Sequence, residues 1–224
     1  MRALVPRALA LAALACLPAC ADDGADTQGD TTTGAATSTA ATSTQGTEGT
    51  AAETDAGTTG TPGDDPAWMS AYCNPVSPAK WLPAFTEQEL AVVDLVNQHR
   101  AAGVDCGAGG TKPPAPPLAL EPRLHCAARV HSADMSERAY FDHVNPDGED
   151  PFDRMAKAGY AFLQAGENIA GGPDAAAAAV AGWLKSPGHC ANMMDPGYTE
   201  IGVGFYEGSG PYTYYWTQTF GRPQ

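Results

Sequence analysis

From Ala21 to Pro66 the chain contains no aromatic residue, no Leu, Ile, Val or Met, and no Lys or Arg. The stretch is built from Thr, Gly, Ala, Ser and Asp, as in TQGDTTTGAATSTAATSTQGTEGT. With no apolar surface to bury, it cannot offset the entropy lost on ordering, and it is expected to be a disordered, flexible tether. Folding is therefore confined to the sequence on either side. On the N-terminal side, Met1 to Cys20 carries Arg2 and Arg7 ahead of the apolar run ALALAALACLPA, the layout of an export signal. That run is shorter than the roughly 20 apolar residues that span a bilayer. Ala67 to Gln224 remains, about 158 residues, a comfortable size for one domain.

The signal ends in Leu17-Pro18-Ala19-Cys20, which resembles the lipobox of bacterial lipoproteins. That resemblance implies that Cys20 is the lipidated N-terminus of the mature chain; the alternative is an ordinary secretory signal with a chance cysteine. Acyl chains contribute about 0.8 kcal/mol per buried CH₂, so the anchor would be the protein's membrane contact. The formal net charge of the whole chain is −14, and nine of its acids lie in the tether, which has no bases. The C-terminal domain has seventeen acids and ten bases. That acidic balance excludes a nucleic-acid binder and a binder of anionic membranes. Four cysteines remain in the domain: Cys73, Cys106, Cys126 and Cys190. An even number in an exported domain implies two disulfides, with three connectivities open. The Gly/Pro-rich loop CGAGGTKPPAPPLALEPRLHC favours Cys106–Cys126, which leaves Cys73–Cys190. Cys190 is read as half a disulfide rather than a nucleophile paired with its neighbour His189, because adjacent helical residues point about 100° apart.

Helical periodicity predicts a helix over Thr86–Gly103, opened by a Thr86-x-x-Glu89 capping box, and a second over Glu121–Ala139 opened by Pro122. A short third helix follows the NPDG turn from Asp150 to Ala158. An alanine-rich fourth runs from a cap at Asp174 to Lys185, and Ser186-Pro187 breaks it before one or two further turns. Beyond Met194 the period becomes two. Ile201, Val203 and Phe205 alternate with glycines, and Tyr212 to Phe220 is aromatic and β-branched, so these two runs pair as an antiparallel hairpin. GENIA, Gly166 to Ala170, is a third strand. Helices first and antiparallel strands last predict an α+β domain with helices packed on a small sheet.

The segments LVNQHRAAG, ARVHSADMSERAYFDHVNPDG, GENIA, WLKSPGHCANMM and YTEIGVGF…YYWTQTFG together resemble the CAP superfamily, also called SCP-like, which includes the cysteine-rich secretory proteins, antigen 5 and plant pathogenesis-related proteins. The resemblance runs from about Phe85 to Gly221. It implies an α-β-α sandwich, an exported location, and a cleft where two histidines and two acids converge and a divalent metal such as zinc can bind. On this sequence the first histidine falls on His143, the first acid on Glu167 and the second histidine on His189. No carboxylate lies between Asp174 and Asp195, where the second acid belongs; Lys185 or Ser186 occupies the neighbourhood, and Glu200 is the candidate stand-in.

Two neutral imidazoles and one carboxylate are a chemically reasonable zinc set, with His143, His189 and Glu167 as ligands and an open position for water. The spacing of these residues carries no metal signal by itself, since there is no H-E-x-x-H helix. His131 shares an apolar face with Leu124, Ala128 and Met135 and is read as a packed or satisfied core histidine. The serines lack a G-x-S-x-G elbow, which argues against a serine hydrolase. The expected function is a binding module displayed outside the cytoplasm, with a lipid, glycan or protein ligand. A zinc-assisted hydrolase is the alternative, and the missing acid weighs against catalysis.

Overall fold

Helix α1 spans Pro83–Ala102 in a computed structural model that describes residues 70–224. The export signal, Cys20 and the tether lie outside the described residues. The chain enters through a 3-10 turn, Ala71–Val76, and proline at the first helical position opens α1. The helix thus starts three residues before the expected Thr86. The expected capping box does not form, because both of its side chains are engaged elsewhere. Thr86 Oγ1 accepts from Arg129 Nη2 at 2.9 Å, and Glu89 is fully buried.

After α1 come a two-residue antiparallel ribbon, β1 (Val104–Asp105) with β2 (Thr111–Lys112), and a short strand β3 (Ala119–Leu120). Helix α2 (Pro122–Glu137) is capped by the Glu121 carboxylate, which accepts from the amides of Arg123 and Leu124. Helix α3 (Pro151–Lys157) opens with a capping box between Asp150 and Asp153. Strand β4 (Phe162–Gly171) extends the expected GENIA strand at its N-terminal side. Helices α4 (Ala176–Lys185) and α5 (Pro187–Met194) then meet at the Ser186-Pro187 break. The expected Asp174 cap is replaced by a cap from another helix: Gln88 Oε1 of α1 accepts from Ala176 N at 2.9 Å.

Strands β5 (Glu200–Glu207) and β6 (Tyr214–Pro223) form the expected antiparallel hairpin. They lie at the centre of a four-stranded sheet ordered β3-β5-β6-β4, with β3 parallel to β5 and β4 on an edge. The period-two alternation divides the side chains between two helical layers. Gly202, Gly204, Thr217 and Thr219 face α2: Ser132 Oγ donates to Gly204 O, and Thr219 Oγ1 to Leu124 O. Phe205 and Asn168 face the other way, against α1 and α5; the Phe205 and Phe85 rings meet edge-on at 5.2 Å, and Asn168 Nδ2 donates to His189 O. The result is an α+β sandwich with the sheet in the middle.

Both glycines on the α2 face are required by this packing. A Cβ on Gly202 would lie 2.2 Å from the Leu124 carbonyl carbon, and one on Gly204 would lie 2.3 Å from Ala128 O. The helix backbone therefore rests directly on the strand backbone. Across the sheet, Glu89 Oε1 accepts from Phe205 N at 3.0 Å and from Trp81 Nε1 at 2.9 Å, while its other oxygen takes Arg129 Nη2 at 2.6 Å. Burial alone would raise the Glu89 carboxyl, but His125 and Arg129 outweigh it and hold the group below its ordinary value. One acid thus ties α1, α2 and β5 together.

All four domain cysteines are in disulfides, with a connectivity different from the expected one: Cys73–Cys126 and Cys106–Cys190, each with Cα atoms 5.6 Å apart. Loop length favoured Cys106–Cys126, but the extended segment and β3 carry the chain away between them. Cys126, on α2, packs in the main core with Cys73; Cys106 packs instead with Cys190 and Met194. Spatial reach, with Cα atoms under about 7 Å, decides which pair can join.

Candidate functional site

The end of α2 sets the site. Ala139 has φ 57° and is the one non-glycine residue with positive φ among the described residues. Tyr140 N bonds to Met135 O at 3.0 Å, a left-handed helix stop made without glycine. The turn sends Tyr140 back over α2 and carries the chain to His143. Beyond it, Asn145 Oδ1 accepts from the amides of Asp147 and Glu149 at 3.0 and 2.9 Å, which fixes the NPDG turn as an Asx motif. His143 is therefore held by ordered backbone on both sides.

Glu167 of β4 lies at the centre. Its side chain is 2% exposed, and Oε1 lies 2.8 Å from His143 Nδ1. Arg154 of α3, 1% exposed, donates from Nη2 to both carboxylate oxygens, at 3.1 and 2.9 Å. His131 of α2, fully buried, turns Nε2 toward Glu167 Oε1 at 3.8 Å. Burial pushes the Glu167 carboxyl up, but Arg154, His131 and His143 outweigh it and hold it at about 2. Burial lowers His131 to about 4, against the opposing pull of Glu167. For His143 burial again lowers, yet the bond to Glu167 prevails and the ring sits above its ordinary value. His143 is the exposed member, with 27% of its side chain accessible.

A polar path continues outward from His131. Tyr140 Oη lies 3.3 Å from His131 Nδ1 and donates to Asp134 Oδ2 at 2.6 Å. Arg138 closes on the same carboxylate through two contacts of 2.6 Å. Tyr140 has a single hydroxyl proton, already given to Asp134, so the His131–Tyr140 bond takes its proton from Nδ1. In the neutral ring Nε2 then presents a lone pair toward Glu167.

The described contacts of His189 and Glu200 are with other residues. His189 sits in the first turn of α5, 6% exposed, and its main-chain oxygen accepts from Asn168 Nδ2 at 3.1 Å. Asn192 of the same helix donates to Asn168 Oδ1 at 2.9 Å. Alternation puts the Asn168 side chain on the face of β4 opposite that of Glu167, so α5 reaches this edge strand from the other layer. Glu200 Oε2 accepts from Tyr160 Oη at 2.5 Å. Of the four cleft candidates, the described contacts join His143 to Glu167. Sequence reading missed Arg154, which carries no motif; His131 is the packed or satisfied core histidine it expected, with Glu167 and Tyr140 as its polar neighbours.

Among the described residues, no group of three or more His, Cys, Asp or Glu side chains is arranged to hold a metal ion. The Glu167 oxygens are already occupied by a guanidinium and an imidazole, and a buried Arg154 puts positive charge where a divalent cation needs negative. The donor set around Glu167 does not fit a resident zinc ion.

Residues 93–220 match the family model described as CAP, the cysteine-rich secretory protein family. The chain belongs to this family. It is 38% identical over 132 residues to the uncharacterized protein YkwD of Bacillus subtilis (strain 168), an alignment covering 59% of this chain and 46% of that protein. It is 36% identical over 129 residues to the uncharacterized membrane protein YlbC of the same organism, covering 58% of this chain and 34% of that protein. The chain thus spans less than half the length of these two relatives. Among solved structures it is similar to an extracellular protein containing an SCP domain from Bacillus anthracis str. Ames, with TM-score 0.54 and 31% identity, covering 65% of this chain and 44% of that one.

Proposed function

We propose that this chain is an exported CAP-domain binding module whose ligand contacts the cleft around His143. The bound state of Glu167 carries this reading. A general base needs a proton affinity near the working pH and a lone pair free to use. Glu167 is buried, is held at about 2, and has both oxygens engaged by Arg154 and His143. Such a carboxylate orients an imidazole better than it abstracts a proton. His143, half pinned and partly exposed, is then a fixed recognition group at the surface. Export and display agree with the signal-like N-terminus, the Cys20 lipobox and the extracellular SCP protein to which the chain is similar. The ligand is an extracellular lipid, glycan or protein segment, and the membrane is reached through the anchor.

The test compares the full chain with His143→Ala on arrays of glycans, lipids and peptides and on a library of peptide and ester substrates. The expected outcome is saturable binding that His143→Ala removes, with no turnover of either substrate class. Hydrolysis abolished by the same substitution, together with stoichiometric zinc by elemental analysis, would replace binding with catalysis.

A further inference from the structure

A second feature lies away from His143, on the outer side of α2. A groove of about 430 Å³ opens between the 3-10 turn, the start of α1, α2 and the end of β5. That volume is within the range of small-ligand sites. Trp81, Phe85 and Tyr206 line it; their rings pack against one another with centroids 5.7 Å (Trp81–Phe85), 5.7 Å (Trp81–Tyr206) and 5.9 Å (Phe85–Tyr206) apart, and Trp81 and Phe85 reach the groove with 7% and 8% of their surface. Leu82, 56% exposed, adds an apolar lip.

The charges around these rings are unequal. Asp134, Glu137 and Glu207 line the groove with one base, Lys80. Asp134 is taken up by Arg138 and Glu137 accepts from Tyr206 Oη at 3.4 Å, so Glu137 and Glu207 leave an acidic excess over Lys80. The ring cluster already accepts a cation from within: the Arg129 guanidinium lies 5.1 Å from the Trp81 ring centroid, with its own charge answered by Glu89. Electron-rich rings attract cations, and the attraction strengthens when the cation sheds water. Apolar walls cannot replace the shell of a small hydrated ion, whereas an alkylated ammonium carries little water to lose.

From the packed rings and the acidic excess we infer that this groove binds a small alkylated ammonium ion of choline type. The aromatic rings take its alkyl face, and Glu137 and Glu207 supply the counter-charge. The groove meets the polar path from His131 at Asp134, and the inference does not depend on the reading of the His143 site.

The test is a titration of the full chain with choline chloride, followed by NMR at the Trp81 indole N–H. The control is the neutral isostere 3,3-dimethylbutan-1-ol, which has the same shape without the charge. Choline should give a saturable shift, and the alcohol should bind about tenfold more weakly. Glu207→Gln, at an exposed position, should weaken choline several-fold without changing the fold. Tyr206→Leu should weaken choline more than it weakens the alcohol, and His143→Ala should leave choline binding unchanged. Equal affinity for choline and the alcohol would reduce the groove to an apolar cleft and overturn the inference. Three other results would also overturn it: no saturable shift; binding to phosphatidylcholine vesicles without binding to free choline; or Trp81 shifts that follow protein concentration, which would make a second copy of the chain the occupant.

Discussion

At the scale of single residues, the decisive group is Arg154. It is buried with Glu167, beside the partly exposed His143, and Glu167 stays ionised because the guanidinium is there. Removing one partner of a buried ion pair leaves the other uncompensated, so Arg154→Met is expected to cost about 3–5 kcal/mol by urea denaturation. The same cluster gives the protein an acid-sensitive window. His131 is lowered from 6.5 to about 4 and Glu167 from 4.5 to about 2, so in both cases the unfolded chain binds protons first on acidification. Their stabilisation is complete above those unfolded values and is lost as pH falls, first through His131 and then through Glu167. His143 runs the other way: its raised value stabilises fully below 6.5 and fades as pH rises through the folded value. Urea midpoints measured at about pH 7, 5 and 3 should therefore fall in that order, and His131→Asn should flatten the first step. Little of this was legible beforehand. His143 and Glu167 stood out through their motifs, but nothing in FDRMAK marks its arginine as the counter-ion, because charge pairing across layers leaves no local pattern.

At the scale of elements, period and punctuation carried the most information. The hairpin of β5 and β6 follows from alternating apolar residues around EGSGP, and its register was set by the need to keep Phe205 and Trp216 inside. Helix ends were less readable. Thr86 and Glu89 have the spacing of a capping box, yet burial of Glu89 with Arg129 won, since a paired core acid does more than a surface cap. The left-handed stop at Ala139 was invisible because the residue is not glycine. The glycines of β5 follow a rule that sequence alone does not announce: they are absent side chains that let α2 lie flat. Gly204→Ala should lower stability by about 1–3 kcal/mol, read as a drop in the thermal midpoint, with Gly208→Ala as a comparison at the hairpin end. If Gly204→Ala is neutral, α2 and β5 are not in backbone contact.

For the whole molecule, the two disulfides join what the sheet alone does not. Cys73–Cys126 fastens the entry turn to α2, and Cys106–Cys190 fastens the β1–β2 ribbon region to α5, one residue from His189. With sequence separations of 53 and 84, the chain-entropy relation gives about 4 and about 4.5 kcal/mol respectively. A peptide map under non-reducing conditions should recover these two linkages, and Cys106→Ala with Cys190→Ala should reduce stability by about 2–5 kcal/mol. The count of four cysteines announced two bridges, but their partners depended on the path of residues 107–125 through space, which no spacing rule encodes.

The two linkages interleave: the first opens at 73, the second at 106, the first ends at 126 and the second at 190. Every peptide bond from 73 to 190 is therefore spanned by at least one covalent bypass. An extracellular protease that cuts this stretch once severs the backbone without releasing a fragment, and the nicked protein keeps its mass until its cystines are reduced.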